Sequence, residues 1–553
     1  MNYFIFSALL FVVPLTTGSL HCQELKPRPG QYGVDDVLKM ILVRADLDTV
    51  GEFSSVRVDG RVFLTSVTLT EPRYDERYVV AASDIPYELH FTRLPLLCVV
   101  SQGRIVNEPK VPVRVTYSED GRNLNLRGGV EYRGAFSQGF RKKNLDFEFD
   151  EDVRFGQLRR DDDWVLDALF NEPLRVNSLV SRQLWLDQAT PYYGDREPAA
   201  RVGADVVHVE AFLNGRYQGV HMLGEQVDRK LLKLKKLKGG EIRGELFKGV
   251  LSAPGTLFSG AAPTPSSTSR SWSGYEQKYP EPRDTISWDG LAAFRSFVSE
   301  SEEDAFRTGI SQRINRENAL DYLIFINVIG GWDNTARNVY TARYAADEPY
   351  FFVPWDLDWT FGNQPRFLDS IPTTNLHTNG LFWRLLQQDP DGFSDELCLR
   401  YETLRAGLYS ADNIKARFVS ALDNLRSNNA LTREALRWPG TVDDSDSRID
   451  YTYRWIDDRL AYLDGALCDF ATSIEMPAES AATDFRFFPN PATEMLTVIP
   501  AVVYRGDYEL YSTWGQRLSS GPVRGRTEID VSNLASGIYF LKIGRRVRSF
   551  VVR

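Results

Sequence analysis

The segment from Asn318 to Gly362 constrains this chain more than any other. It opens with an apolar-rich run, Asn318–Ile329, that reads as a helix, and Gly330-Gly331 stops it. Trp332-Asp333-Asn334-Thr335-Ala336-Arg337-Asn338 follows as an acidic loop. Val339–Tyr344 and Tyr350–Val353 read as two strands joined by a turn over Asp347–Pro349. Pro354-Trp355-Asp356-Leu357-Asp358-Trp359-Thr360-Phe361-Gly362 then forms a second acidic loop. A hairpin returns the chain to its starting edge, so the two acidic loops are expected side by side at one end of a sheet.

The rest of the chain is too long for one core. With 553 residues and ~100–200 residues per domain, three or four units are expected. Apolar and charged contents of 43% and 25% fit a soluble globular protein, and 12% aromatic residues argue against extended disorder. A net charge of -10 disfavours nucleic acid and anionic membrane as partners. The five histidines and four cysteines contain no Cys-x-x-Cys and no His-Glu-x-x-His, so no zinc-site pattern is present.

Tyr3–Leu15 is almost uninterruptedly apolar and runs into Thr16, Thr17, Gly18 and Ser19, which reads as a signal peptide over residues 1–22. The run is shorter than the ~20 residues that span a bilayer. No later segment is long and apolar enough to do so, and no transmembrane segment is expected in the mature chain. Residues 24–86 alternate in short runs and suggest a small β region. Further strands are expected at Leu94–Val100, Val111–Tyr117 and Asn144–Phe149, the last with Leu145, Phe147 and Phe149 on one face. Residues 174–188 read as a helix. Val206–Leu213 and Tyr217–Leu223 flank Asn214-Gly215, a hairpin signal. Lys230–Lys238 reads as a solvated strand or turn, and Ser252–Gly274 as an exposed loop. From Trp288 to Phe470 the pattern is mainly helical. A polar linker over 471–483 precedes a compact β unit at 484–553. Cys98 is expected as a buried strand residue, and Cys398 and Cys468 either pair or remain two inert thiols.

Asp333 and Asn338 have the Asp-x-x-x-x-Asn spacing of a kinase catalytic loop, in which the Asp orients an acceptor hydroxyl and the Asn holds Mg2+. A hairpin later, Asp356 stands where a second metal-binding Asp is needed. Phosphoryl transfer spreads negative charge over the moving group, so hard oxygen ligands must fix a divalent ion beside it. The same residues also suit a capped turn or a structural Ca2+ site.

Ordered blocks across residues 87–470 resemble the CotH (spore coat protein H) family of atypical secreted protein kinases. They are Arg133-Gly134 with Ser137 and Phe140-Arg141-Lys142-Lys143; Asp163-Trp164-Val165-Leu166; Asn214-Gly215-Arg216-Tyr217-Gln218-Gly219-Val220 with Glu225; and the two acidic loops. The resemblance implies an α+β fold: a two-lobed atypical kinase-like domain, preceded by the small β region and followed by a β-sandwich. It implies ATP with Mg2+ or Mn2+. Lys142 would hold nucleotide phosphates and pair with Glu225, with Lys143 expected on the opposite strand face. Asp333 would be the acid/base, and Asn338, Asp356 and Asp358 the metal ligands. The chain departs from ordinary kinases in lacking Gly-x-Gly-x-x-Gly and in placing Gly331-Trp332 where they carry His-Arg.

Phe487-Phe488-Pro489-Asn490-Pro491, Tyr508–Tyr511 with Gly515-Gln516, and Leu534–Leu541 resemble the C-terminal sorting domain of type IX secretion, a small β-sandwich. Together the resemblances imply a secreted kinase acting on Ser or Thr of exported or surface proteins, with the secretion machinery as a partner. The competing reading is a non-catalytic surface protein or adhesin that keeps a kinase-like fold.

Overall fold

Alternation of short apolar runs builds the first unit. The computed structural model describes residues 23–553 apart from 135, 364–371, 469–484, 501–504, 513–515, 525 and 544–545; the expected signal peptide and linker lie outside the described residues. Strands β1 (Glu24–Leu25), β2 (Tyr32–Asp35), β3 (Met40–Arg44), β4 (Phe53–Val58), β5 (Arg61–Leu69), β6 (Arg77–Ala82) and β7 (Ile85–Thr92) form one sheet in the order β1-β4-β5-β6-β7-β3-β2. β3 is buried on both faces. Ile41 and Val43 pack with Phe53, Val56, Phe63, Leu89 and Phe91, while Met40 and Leu42 point the other way, onto Leu96, Phe212 and Tyr217 of the next unit. The sheet runs on to Thr92, past the expected limit at residue 86, because β7 pairs in parallel with β3 through that residue.

The second unit is a closed barrel. Its strands are β8 (Leu96–Ser101), β9 (Val111–Glu119), β10 (Arg122–Tyr132), β11 (Leu145–Arg154), β12 (Arg160–Asp167), β13 (Val206–Leu213) and β14 (Arg216–Glu225), in the order β10-β11-β12-β14-β13-β8-β9. A parallel pairing of β13 with β8 completes the circle and leaves no free edge. Leu145, Phe147 and Phe149 face inward with Val115, Tyr117 and Trp164, and Phe155 sits edge-on to Trp164 at 4.7 Å. The barrel is filled with side chains, so a ligand site must lie outside it. The hairpin at Asn214-Gly215 turns with φ of 50° and 70°, as a two-residue turn of this kind requires. The α+β class holds, and the upstream half is the expected β region, a seven-stranded sheet, followed by a closed barrel.

The third unit packs helices around a five-stranded sheet. Its strands are β15 (Glu245–Gly249), β16 (Ser271–Trp272), β17 (Tyr275–Tyr279), β18 (Val339–Arg343) and β19 (Tyr350–Pro354), in the order β16-β17-β15-β18-β19. The helices in chain order are α1 (Asn177–Gln188), α2 (Arg229–Leu232), α3 (Asp289–Glu300), α4 (Glu303–Gly309), α5 (Arg316–Val328), α6 (Gly380–Gln388), α7 (Phe393–Arg405), α8 (Ala411–Ser427), α9 (Ala430–Arg437) and α10 (Asp446–Ala466). α5 is buried on every side from Asn318 to Val328, which is what a helix that is apolar all round must do. Asn318 fastens it to β19: its side chain accepts from Phe352 N at 2.6 Å and donates to Phe352 O at 3.0 Å. Gly330, at φ 69°, ends it; a Cβ there would stand 2.5 Å from Trp455.

Three local expectations are settled here. Cys398 and Cys468 form a disulfide joining α7 to the end of α10. Ser252–Gly274 is mostly irregular but not wholly exposed: Phe258, 4% exposed, lies edge-on to Phe294 at 5.4 Å. Lys230 sits on the one-turn α2, and its amine is ion-paired with Asp161, Asp162 and Asp163.

The tail is a sandwich of two sheets. β20 (Phe485–Phe488), β21 (Met495–Pro500) and β24 (Thr527–Asp530) form one; β22 (Arg505–Ser512), β23 (Arg517–Arg524), β25 (Gly537–Ile543) and β26 (Arg546–Val552) form the other. Phe485, Leu496, Val498, Leu510, Leu541 and Phe550 fill the space between. Among the described residues no helix is long and apolar enough to cross a membrane.

Buried histidines give the fold an acid limit. Burial pushes His90 down to about 3, His208 down to about 4 and His221 well below the ordinary value. Each is neutral when folded and takes a proton near 6.5 when unfolded, so its stabilisation is full above that pH and is lost as pH falls toward the folded value. His208 alone accounts for about 3 kcal/mol. The thermal midpoint, followed by fluorescence, is expected to drop between pH 6.5 and 4 in the parent and less in a His208→Gln variant; equal drops would remove His208 from the cause.

Candidate active site

The β18–β19 hairpin brings the two acidic loops together. Val339 pairs with Pro354 at its open end, and Trp355 N donates to Asn338 O at 2.9 Å. The side-chain amide of Asn334 staples the loops, donating to Asn338 O at 2.9 Å and to Trp355 O at 2.8 Å. Tyr322 of α5 holds this turn through a hydroxyl bond to Asn334 O at 2.8 Å. Asn338 and Asp356 take φ of 55° and 53°, a left-handed conformation that Asn and Asp tolerate better than most residues.

Asp333 lies in the short turn Trp332–Thr335. Its Oδ2 accepts from Asn338 Nδ2 at 2.8 Å, and its Oδ1 faces Arg337 Nη2 at 2.6 Å. Burial lifts its carboxyl to about 6, with Arg337 opposing and Asp356 adding to the rise. Asp356 reaches solvent and, among the described residues, accepts no hydrogen bond and forms no ion pair. The surrounding protein desolvates it enough to raise its carboxyl, and Asp167 at the end of β12 is the next cause. Asp358 accepts from Asn171 Nδ2 at 3.1 Å and is raised well above the usual range, by burial and then by Asp356. Asp333, Asn338, Asp356 and Asp358 are therefore neighbours.

Their donor set suits a hard divalent ion. Asp356 is unengaged, Asn338 uses its amide nitrogen on Asp333 and keeps its amide oxygen, and Asp358 keeps a second carboxylate oxygen. The three aspartates are less tightly gathered than Asp161, Asp163 and Asp228, whose oxygens lie within 4.8 Å of one another. That second cluster already holds a cation, the Lys230 amine.

Lys142 and Glu225 do not pair. Lys142 is 1% exposed; its amine donates to Val220 O and binds Glu434 Oε1 of α9 at 2.9 Å. Burial lowers the amine to about 8 even against the pull of Glu434. Glu225 is instead bound by Arg201 and accepts from Arg159 N at 2.7 Å and Asp205 N at 3.0 Å. The reason is distance along β14: Val220 and Glu225 are five residues, roughly 16 Å, apart. Lys143 donates to Gln138 O and lies 5.9 Å from the Tyr132 ring.

Glu434 is the residue that sequence reasoning missed. It also binds Arg175, at 3.0 Å to Nε and 2.9 Å to Nη2, and accepts from Val220 N at 2.8 Å. Beside it Arg433 grips Glu210 at 2.9 and 2.8 Å, and Tyr217 donates to Glu210 at 2.6 Å. These buried pairs lock α9 onto β13 and β14. They explain the Tyr217 and Gly219 of the hairpin motif: Gly219, at φ 85°, leaves room for a Glu434 oxygen that would lie 1.7 Å from a Cβ.

Also missed were Arg182 on α1 and Lys248 on β15. With Arg133, which follows β10, they lie over the ring of Trp355 at 4.9, 5.6 and 5.2 Å. Lys248 is held down to about 7, by burial first and then by Arg133 and Lys278. Its one sequence signal is a lysine enclosed in the apolar run Leu246-Phe247-Lys248-Gly249.

The comparisons with known proteins agree with this architecture. A family model described as CotH kinase protein matches residues 130–463, and one described as secretion system C-terminal sorting domain matches residues 486–553. The first match spans more than half of the chain, so the protein belongs to the CotH kinase family. No curated protein matches the chain. The sheet β1–β7 lies outside both matched regions. The tail match points to secretion or cell-surface export and to involvement of the type IX machinery, as the Pro-Asn-Pro opening and Ser-Gly-Ile-Tyr-Phe ending imply.

Proposed function

We propose that the protein transfers the γ-phosphoryl group of ATP, with Mg2+ or Mn2+, to Ser or Thr hydroxyls of exported or surface proteins. The observation that supports this is the Asp333–Asn338 pair set beside an unpaired Asp356. The acceptor hydroxyl oxygen attacks the γ-phosphorus, its proton passes to an Asp333 oxygen, and the bond to the departing ADP oxygen breaks. A carboxylate lifted to about 6 is a better proton acceptor than an ordinary Asp yet stays ionised near neutral pH. Asn338 orients that carboxylate through its amide N–H. Asp356, Asn338 and Asp358 would hold the divalent ion, which supplies neutralisation of phosphate charge. An adhesin has no use for an unpaired Asp356 beside a fixed Asp333, which weighs against the non-catalytic reading.

Incubating the full chain with γ-labelled ATP, Mg2+ or Mn2+, and exported proteins is expected to label Ser or Thr on an acceptor or on the chain itself, and chelation should abolish the label. No label under any metal, together with no ATP binding by calorimetry, would replace this reading with the non-catalytic one.

A further inference from the structure

Three cations from three separate elements meet at one aromatic ring. Arg133 leaves the barrel rim, Arg182 comes from α1 and Lys248 from β15, and all lie within 5.6 Å of the centroid of Trp355, the residue before Asp356. Among the described residues none has a carboxylate within ion-pair distance, although Asp356 acts on all three from further off. Arg182 is 6% exposed, and its Nε, like Arg133 Nη1, is buried with no hydrogen-bond partner among the described residues. Among the described residues the Lys248 amine also makes no hydrogen bond or ion pair. Charge only partly countered, with unbonded donors in a partly dry cleft, is costly unless a ligand meets it. The indole face offsets part of this. The remaining need is for an anion with several oxygens, which two guanidinium forks and an amine suit well.

We propose that Arg133, Arg182 and Lys248 clamp the phosphate chain of a nucleoside triphosphate, with Lys248 rather than Lys142 as the lysine that touches it. This rests on the phosphotransferase reading above and deepens it. Lys142 cannot serve as arranged, since its side chain is 0% exposed and committed to Glu434 and Val220.

The test uses inorganic triphosphate, which carries the charge without the nucleoside. Calorimetry on the full chain is expected to show binding that Lys248→Met and Arg182→Gln each weaken by about tenfold or more, while Lys143→Met leaves it unchanged. A second measurement needs no variant: acetic anhydride acetylates Lys248 in the free protein, and triphosphate slows that reaction while Lys143 reacts as before, read by peptide mass spectrometry. If the parent does not bind triphosphate, or if Lys248 is neither protected nor needed, the clamp is wrong even where ATP transfer is found. If triphosphate binding needs the three cations but no phosphoryl transfer occurs, the clamp stands and the phosphotransferase reading falls.

Discussion

Asp333→Asn is expected to lower phosphoryl transfer by about 10²–10⁴-fold while leaving ATP affinity close to that of the parent. Asp333 is expected to meet only the acceptor hydroxyl, so its loss is felt in the transition state and not in nucleotide binding. Asn preserves the shape and a partner for Asn338, so the Asn334 staple between the loops persists. Asp356→Ala is expected to behave differently, losing metal-dependent ATP binding and transfer together, because its free carboxylate is the ligand the ion would use. Titrating ATP into each variant with and without Mg2+, beside single-turnover transfer, separates the two. If Asp333→Asn weakens ATP as much as Asp356→Ala does, the division of roles is wrong.

Glu434→Ala is expected to destabilise the protein by about 3–5 kcal/mol, because it leaves Lys142 and Arg175 buried without their shared anion. At roughly 2–4 °C per kcal/mol, the drop in thermal midpoint is large. Lys142→Met should cost less, since Glu434 keeps Arg175 and Val220 N and only Val220 O loses its donor. Both effects are of folding. Triphosphate affinity of the folded Lys142→Met protein is expected to equal that of the parent. A tenfold loss of affinity at unchanged midpoint would return Lys142 to the phosphate site.

How much of this was legible follows from distance along the chain. Asp333, Asn338 and Asp356 could be placed because a single hairpin with its flanking helix carries them, and local periodicity sufficed. The partner of Lys142 could not, because Glu434 is supplied by a helix from the far end of the family region and no pattern near Lys142 points to it. Glu225 drew the assignment by standing in the same motif block, five residues too far along β14. The alternation of Leu145, Phe147 and Phe149 gave the inward face correctly but says nothing of strand order, so closure through the parallel β8–β13 pair was invisible. Arg182 and Lys248 belong to no motif; apart from the apolar run around Lys248, their convergence on Trp355 singles them out.

The Cys398–Cys468 bond has a consequence for when the molecule becomes rigid. It closes a loop of 70 residues that contains α8, α9, all of α10 and most of α7, and so encloses Glu434. Closing a loop of that length removes unfolded-state freedom worth about 4 kcal/mol in the chain-entropy account. In a reducing cytoplasm that contribution is missing, and α9 is held to the barrel only by its buried ion pairs, its hydrogen bonds to β14 and its apolar packing. A chain that has just been synthesised is thus looser than the same chain after it meets an oxidising exterior. The transition between the two states dates the molecule by its compartment, and full rigidity arrives only where the sorting tail points it.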